Sequence, residues 1–221
     1  MINPKDINLI IFDMDGTILP SLLPFYESIK RAFNKLGWPV TFSPGEINRF
    51  FGVSTASVKG SVYEFITPPN SPLSPEEVRE RVRAENDEVF HEMAQTYPGV
   101  KETLKILRQR GYKLAQYTNA SISYLNVIMS SLEIRDCYDY IECIEENHLT
   151  KTELAKKIKA HFGLNTAIVG DRIHDIEAAR ENGCLSIGVL FGYGEKEPEQ
   201  ADLTIKQFSD LLDIFDRQSP L

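Results

Sequence analysis

From residue 98 onward, short apolar segments alternate with amphipathic ones, and this alternation restricts the fold more than any other feature of the sequence. The segments "YKLAQYTNA", "TAIVGD" and "LSIGVL" are predicted strands, whereas the segments between them place apolar residues at helical spacing. Glycines close several of these predicted helices, at Gly111, Gly163 and Gly183. Repeated strand–helix units predict an α/β fold, with a doubly wound parallel sheet and helices on both of its faces.

Residues 20–97 differ from the rest of the chain because they contain no convincing strand pattern. "SLLPFYESIKRAFNKLG" and "SPEEVRERVRAENDEVFHEM" are both predicted helices, and Ser74 is the expected cap of the second. The predicted apolar stripe of that second helix consists of Val78, Val82, Val89 and Met93. We therefore expect a Rossmann-like core formed by residues 1–19 and 98–221, with an inserted α-helical cap formed by residues 20–97.

The predicted first strand, residues 7–12, ends directly in two acids, Asp13 and Asp15, followed by Gly16 and Thr17. In a doubly wound sheet, ligands bind beyond the carboxyl ends of the strands. Two carboxylates held this close together cannot comfortably both stay ionised without a cation or a proton between them. The pattern therefore indicates a metal site or acid–base chemistry at this edge of the sheet.

A second acidic pair lies in "AIVGDRIHDIEAA", where Asp171 ends a predicted strand and Asp175 begins the following helix. If the two strand ends converge, three or four carboxylates surround one point. Hard oxygen ligands of this kind are those that Mg²⁺ prefers. The sequence thus predicts a Mg²⁺ site built from two separate parts of the chain.

These motifs, in this order, resemble those of the haloacid dehalogenase superfamily of phosphohydrolases, in the branch that carries a helical cap after the first strand. "DMDGT" is similar to the first motif of that family, the strand ending in "YTN" to the second, and "GDRIHD" to the fourth. Lys151, at the head of its predicted helix, corresponds to the third motif. The resemblance spans the chain, and it implies a phosphatase that acts on a small phosphorylated metabolite.

The resemblance also implies a role for individual residues. Asp13 is implied to be the nucleophile that forms an aspartyl-phosphate, and Asp15 to be the general acid and then the general base. The residues implied to bind the substrate phosphate are Thr118, Asn119 and Lys151. The implied Mg²⁺ ligands are Asp13, Asp15 through its backbone carbonyl, Asp171 and Asp175.

Alternative functions stay open at this point. A phosphomutase or a pyrophosphatase would use the same motifs, but β-phosphoglucomutases carry an arginine after "GVS", where this chain has Thr55. That difference disfavours a mutase unless Arg49 replaces the missing cation. A receiver-like signalling module lacks both "DxDGT" and a helical insert, and a dehalogenase lacks an acid at the position of Asp15.

Composition and the amino-terminal sequence restrict partners and location. The net charge of −8, without a dense basic cluster, disfavours binding to nucleic acid. "MINPKDINLIIF" reaches the acidic pair after too few apolar residues for a signal sequence or a membrane span. The three cysteines have no metal-type spacing. We expect a cytoplasmic monomer or homodimer that binds neither nucleic acid nor membranes.

Overall fold

The computed structural model describes residues 2–51, 60–144 and 149–216, so the "FGVSTASV" segment with Thr55 falls almost wholly outside the described residues. The strands in these ranges are β1 (Leu9–Phe12), β2 (Lys113–Thr118), β3 (Tyr140–Cys143), β4 (Thr166–Gly170), β5 (Leu185–Val189) and β6 (Leu203–Ile205). The α-helices are α1 (Leu22–Leu36), α2 (Pro44–Ile47), α3 (Val62–Ile66), α4 (Pro75–Met93), α5 (Val100–Gln109), α6 (Ile122–Leu132), α7 (Lys151–Phe162), α8 (Ile173–Glu181) and α9 (Leu211–Ile214).

The strands form one sheet in the order β3-β2-β1-β4-β5-β6, and every neighbouring pair is parallel. The predicted doubly wound α/β fold is therefore confirmed. Strand β1 lies between β2 and β4, and Phe12 pairs in register with Gln116 and with Val169. Because all three strands run in the same direction, their carboxyl ends meet at one edge of the sheet.

Helices cover both faces of the sheet. Residues of β1 are therefore buried whichever face they point to, which explains why its sequence is an unbroken apolar run. All four residues of β1 are buried. Ile10 and Phe12 belong to the core that includes α5 and α6, whereas Leu9 and Ile11 belong to the core that includes α7 and α8. Among the described residues, no helix combines the length and the apolar character needed to cross a bilayer.

Most predicted helix ends are confirmed. Thr150 and Glu153 form a capping box at the start of α7, and Gly163 closes that helix in a left-handed conformation with φ 63°. The last helix is shorter than the sequence pattern predicts. The Asp210 carboxylate accepts hydrogen bonds from the backbone N–H groups of Lys206 and Gln207, so the helical segment starts later, with a 3₁₀ turn at Phe208–Asp210 before α9.

Between β1 and α5, the described secondary-structure elements are helices α1 to α4 and a 3₁₀ turn at Asn48–Phe50, joined by loops. Helix α4 buries Val78, Val82 and Val89, as predicted, but Met93 is 37% exposed. Phe90 is fully buried instead, because its ring packs edge-on against Tyr124 of α6 at a centroid distance of 5.0 Å. The prediction that Met93 lies on the buried stripe was wrong, because Phe90 rather than Met93 faces α6 in the last turns of α4.

Candidate active site

Three buried carboxylates meet at the carboxyl edge of the sheet. Asp13 follows β1, Asp171 follows β4, and Asp175 lies in the first turn of α8. Each residue offers one carboxylate oxygen, and these three oxygens lie within 4.8 Å of one another. None of the three residues is more than 2% exposed. The structure thus brings together acids that the sequence separates by more than half of its length.

Lys151 is the cation of this cluster. Its Nζ lies 2.7 Å from Asp13 Oδ1 and 2.6 Å from Asp175 Oδ1, and its side chain is 4% exposed. A lysine in the first turn of a helix opposes the helix dipole, so its position at the head of α7 requires nearby negative charge. Burial lowers the pKa of Lys151, but the charges of Asp13 and Asp175 raise it by more. The lysine therefore stays protonated.

Negative charge exceeds positive charge in this cluster. Burial raises the pKa of Asp13 well above its ordinary value, and the contacts with Lys151 lower it by less than burial raises it. Burial, together with the charge of Asp175, raises the pKa of Asp171 to about 7. Asp13 Oδ2 is buried and has no hydrogen-bond partner in the described residues. Three hard oxygen donors with excess negative charge and an orphaned oxygen fit a divalent cation such as Mg²⁺.

Hydrogen bonds and closely packed backbone segments hold Asp171 in place. Its Oδ2 accepts a hydrogen bond of 2.6 Å from the backbone N–H of Tyr193, and its Oδ1 accepts one of 3.3 Å from the Thr17 hydroxyl. Gly16 has φ 86°, and a Cβ at this position or at Gly192 would overlap the Asp171 side chain. Only glycine therefore lets these two loops close around the carboxylate.

Asp15 lies beside this cluster but has other partners. Its Oδ1 accepts a hydrogen bond of 2.9 Å from the Tyr124 hydroxyl. Burial raises the pKa of Asp15, while hydrogen bonds from Ser21 and Tyr124 lower it by less. A raised pKa favours the protonated form of a carboxyl group, which is the form that a general acid requires.

Thr118 and Asn119 end β2 at the same edge, and both line the cavity that Asp13 and Asp15 also line. The backbone N–H of Ala120 donates a 3.1 Å hydrogen bond to the Thr118 hydroxyl oxygen. Because a hydroxyl can accept and donate at the same time, Thr118 can also donate its own hydrogen to a bound oxyanion. The structure therefore gathers every residue that the sequence analysis assigned to the site.

Tyr117 is a member of the site that the sequence analysis missed. Its hydroxyl donates a 2.7 Å hydrogen bond to Asp175 Oδ1, and Lys151 Nζ lies 4.8 Å from the centroid of its ring. Residues alternate between the two faces of a strand, so Tyr117 points away from Thr118 and towards α7 and α8. That alternation was a usable signal, because Lys151 and Asp175 begin those two helices.

A cavity of about 650 Å³ lies over the acids. Its other walls come from the helical insert and include Phe50, Phe51, Tyr63, Arg79, Arg83 and Asn86. Arg49 is not among the described lining residues; its guanidinium instead stacks at 4.8 Å on the rings of Phe50 and Phe65. Sequence reasoning missed Arg79 and Arg83 because nothing in a helical pattern shows which polar face turns towards a ligand.

Comparison with known proteins identifies relatives along most of the chain. A family model described as haloacid dehalogenase-like hydrolase matches residues 10–189. The phosphoglycolate phosphatase of Vibrio parahaemolyticus is 30% identical over 225 residues, which cover 95% of this chain and 96% of that protein. The residues matched by the family model span the positions of all four motifs and of the helical insert.

Solved structures repeat the same architecture. A Haemophilus somnus protein predicted to be a phosphoglycolate phosphatase superposes with a TM-score of 0.80 at 25% identity, covering 95% of this chain and 98% of that chain. A Thermotoga maritima protein of proposed β-phosphoglucomutase function superposes with a TM-score of 0.75 at 20% identity, covering 95% of this chain and 98% of that chain. At that identity, the second similarity concerns the fold alone.

Proposed function

This chain belongs to the haloacid dehalogenase-like hydrolase family, and from that premise we propose that it is a Mg²⁺-dependent phosphatase that hydrolyses a small phosphate monoester through an aspartyl-phosphate on Asp13. Its phosphoglycolate phosphatase relative supports phosphatase activity. The single observation that carries the proposal is the buried group of Asp13, Asp171, Asp175 and Lys151 beside a cavity of about 650 Å³.

Asp13 supplies the nucleophile. A carboxylate oxygen of Asp13 attacks phosphorus, the new Asp–O–P bond forms, and the ester P–O bond breaks. Asp15 gives its proton to the departing alkoxide, so the product leaves as an alcohol. Asp15 then takes a proton from water, the water oxygen attacks phosphorus, and the Asp–O–P bond breaks to release phosphate and restore Asp13.

Charge repulsion is the main obstacle, because both the carboxylate and the phosphate monoester are anionic. Lys151 lies 2.7 Å from Asp13 Oδ1, where its charge also faces an incoming phosphate oxygen. Thr118 and Asn119 supply neutral donors from the end of β2. A Mg²⁺ ion held by Asp13, Asp171, Asp175 and the Asp15 carbonyl would reduce the remaining repulsion by electrostatic attraction to the same phosphate.

We prefer the phosphatase to the mutase because the phosphoglycolate phosphatase relative is 30% identical over 95% of this chain, whereas the β-phosphoglucomutase-like structure, at 20% identity, supports the fold alone. Arg49 was the residue that the sequence offered as a grip for a second sugar phosphate, but its guanidinium lies over Phe50 and Phe65. We also propose that residues 20–97 act as the cap and residues 1–19 and 98–221 as the catalytic core. The three free thiols support our proposal of a cytoplasmic location, and we further propose a monomer or homodimer.

A panel of phosphorylated metabolites tests the proposed function directly. Purified protein is assayed for released phosphate, with and without Mg²⁺, beside the Asp13→Asn variant. We expect phosphate release from at least one small monoester that requires both Mg²⁺ and Asp13. Release that continues at the wild-type rate in Asp13→Asn, or in metal-free buffer, would contradict the proposal.

A further inference from the structure

Tyr193 lies in the loop that follows β5, formed by residues 190–194. Its backbone N–H donates the 2.6 Å hydrogen bond to Asp171 Oδ2. A Cβ at Gly192 would overlap the Asp171 side chain, and one at Gly194 would overlap the Asp171 backbone carbonyl. The loop is thus packed directly against Asp171, and a shift of Tyr193 also moves the donor that holds this carboxylate.

The side chain of Tyr193 contacts the helical insert. Its hydroxyl oxygen accepts a 2.8 Å hydrogen bond from the backbone N–H of Leu22, which is the first residue of α1. The first N–H groups of a helix have no partner inside the helix and need one from elsewhere. Within the described residues, the Ser21 side chain does not cap this helix end. The first donor of α1 is therefore satisfied from the same loop that holds Asp171.

Further contacts join this loop to the insert. Asn48 Nδ2 lies 3.4 Å from the backbone carbonyl oxygen of Tyr193, and Arg172 Nη1 donates a 3.2 Å hydrogen bond to that same oxygen. Arg172 directly follows Asp171 and is 6% exposed, and its Nε donates a 2.9 Å hydrogen bond to the Phe51 carbonyl. The Phe51 ring packs edge-on against Tyr193 at a centroid distance of 5.6 Å. Contacts from separate parts of the insert thus converge on the residue that orients Asp171.

We propose that Tyr193 is a positioning residue that couples the placement of the helical insert to the Mg²⁺ affinity of the site. The inference rests on the proposed Mg²⁺-dependent function and adds a form of regulation to it. Thr17 and Tyr193 each donate to one oxygen of Asp171, and partners of this kind fix the orientation of a metal ligand. Coupling between two equilibria is reciprocal, so Mg²⁺ binding also stabilises the contacts between the loop and the insert.

Calorimetric titration of Mg²⁺ into metal-free protein, without substrate, tests one direction of the coupling. Tyr193→Phe keeps the backbone N–H and the ring but loses the contact with Leu22. We expect the Kd for Mg²⁺ to rise about fivefold, which is less than the loss expected when a direct hydrogen-bond partner of a metal ligand is removed. Tyr26→Phe is the matched control and should keep the wild-type Kd, because its hydroxyl donates to the Phe42 carbonyl within the insert.

Amide hydrogen exchange at Leu22 tests the other direction. In the wild type, saturating Mg²⁺ should slow this exchange about fivefold relative to metal-free protein at the same ionic strength, balanced with KCl. In Tyr193→Phe and in Asp171→Asn, Mg²⁺ should leave the exchange rate unchanged. In Tyr26→Phe, the slowing should match that of the wild type. A tyrosine that only filled space would not transmit metal binding to the first turn of α1.

The possible results distinguish the coupling from the metal site itself. Thermal unfolding checks that each variant is folded. Equal Mg²⁺ affinity in the wild type and Tyr193→Phe would overturn the coupling and leave the metal site in place. Exchange at Leu22 that does not respond to Mg²⁺ in the wild type would overturn the coupling without any variant. A wild-type protein that binds no Mg²⁺ would overturn the proposed metal-dependent function, and the coupling with it.

Discussion

The two sides of the cavity are built differently. On the sheet side, Asp13, Lys151 and Asp175 are buried, and Lys151 Nζ lies 2.7 Å from Asp13 Oδ1 and 2.6 Å from Asp175 Oδ1. On the insert side, Arg79 and Arg83 are about one-third exposed, and they lie 3.2 Å from Glu76 and 3.8 Å from Glu80, respectively. Buried charges have few alternative positions, whereas exposed ones rearrange easily. The difference supports our proposal that the sheet side carries out the bond-breaking chemistry and that the insert acts as the cap.

The largest expected effect tests the sheet side. Asp13→Asn removes the nucleophilic charge, so kcat should fall by a factor on the order of 10⁴ or more. The exposed acid Asp213 gives a matched control, Asp213→Asn, which should keep wild-type turnover. Steady-state phosphate release and circular dichroism provide the measurements. If Arg79→Gln lowered kcat as much as Asp13→Asn did for every ester, the proposed difference in role between the two sides of the cavity would be wrong.

Metal removal is the second test. The carboxylate cluster gains a counter-charge when Mg²⁺ binds, so added Mg²⁺ should raise the thermal midpoint of the metal-free protein. At a Mg²⁺ concentration one hundred times its Kd, the free energy of unfolding should rise by about 2.7 kcal/mol. EDTA should abolish phosphate release, and added Mg²⁺ should restore it. Differential scanning calorimetry at constant ionic strength, balanced with KCl, measures the shift. The Asp171→Asn variant should lose most of this Mg²⁺-induced shift, whereas Arg79→Gln should retain it. A shift in Asp171→Asn equal to that of the wild type would show that the ion binds elsewhere.

A single hydroxyl provides a smaller and more selective change. Tyr117→Phe deletes the 2.7 Å donor to Asp175, and we expect kcat to fall about tenfold with KM changed less than about twofold, because the variant loosens a residue of the cluster rather than the substrate. Tyr138→Phe is the matched control, since its buried hydroxyl has no partner in the described residues. Equal kcat values for the two variants would show that Tyr117 only fills space.

The smallest effect concerns an acid whose charge the chain itself neutralises. Burial raises the pKa of Asp139, but hydrogen bonds from the Leu114 N–H and from Lys113 outweigh it, so the net pKa is lowered below 3.8. A folded-state pKa below the unfolded value stabilises the protein above about pH 4, and this contribution disappears as the pH falls through the lowered pKa. Urea unfolding should show Asp139→Asn less stable by about 1 kcal/mol at pH 7 and equal to wild type near pH 2. A difference that did not shrink at low pH would reject this assignment.

The sheet and its acidic edge were predictable because each depends on local patterns. Strand β1 ends where its apolar run meets Asp13, and α7 begins where Thr150 and Glu153 form their capping box. Parallel strands deliver their carboxyl ends to one edge, so the positions of Asp13 and Asp171 in sequence already implied that they meet. The family resemblance assigned them roles that neither pattern contained.

Contacts between packed elements were not predictable in the same way. The Tyr117–Asp175 hydrogen bond depends on how α8 lies against β2, and the exposure of Met93 depends on the angle at which α4 passes α6. The positions of Arg79, Arg83 and Asn86 on the cavity wall were also not predictable, because their i, i+4, i+7 spacing is typical of any polar, solvent-exposed helix face. Rotation of a helix about its axis is decided by tertiary packing, which single-sequence patterns do not record.

The central position of β1 has a consequence for biosynthesis. Its neighbours in the sheet are β2 and β4, and Asp13 is separated by 138 residues from Lys151. A ribosome adds about 5–20 residues per second, so Lys151 is synthesised several seconds after the Asp13 carboxylate with which it pairs. A chain interrupted before α7 would hold the proposed nucleophile without its counter-charge, so the proposed site would become complete only in the last third of translation.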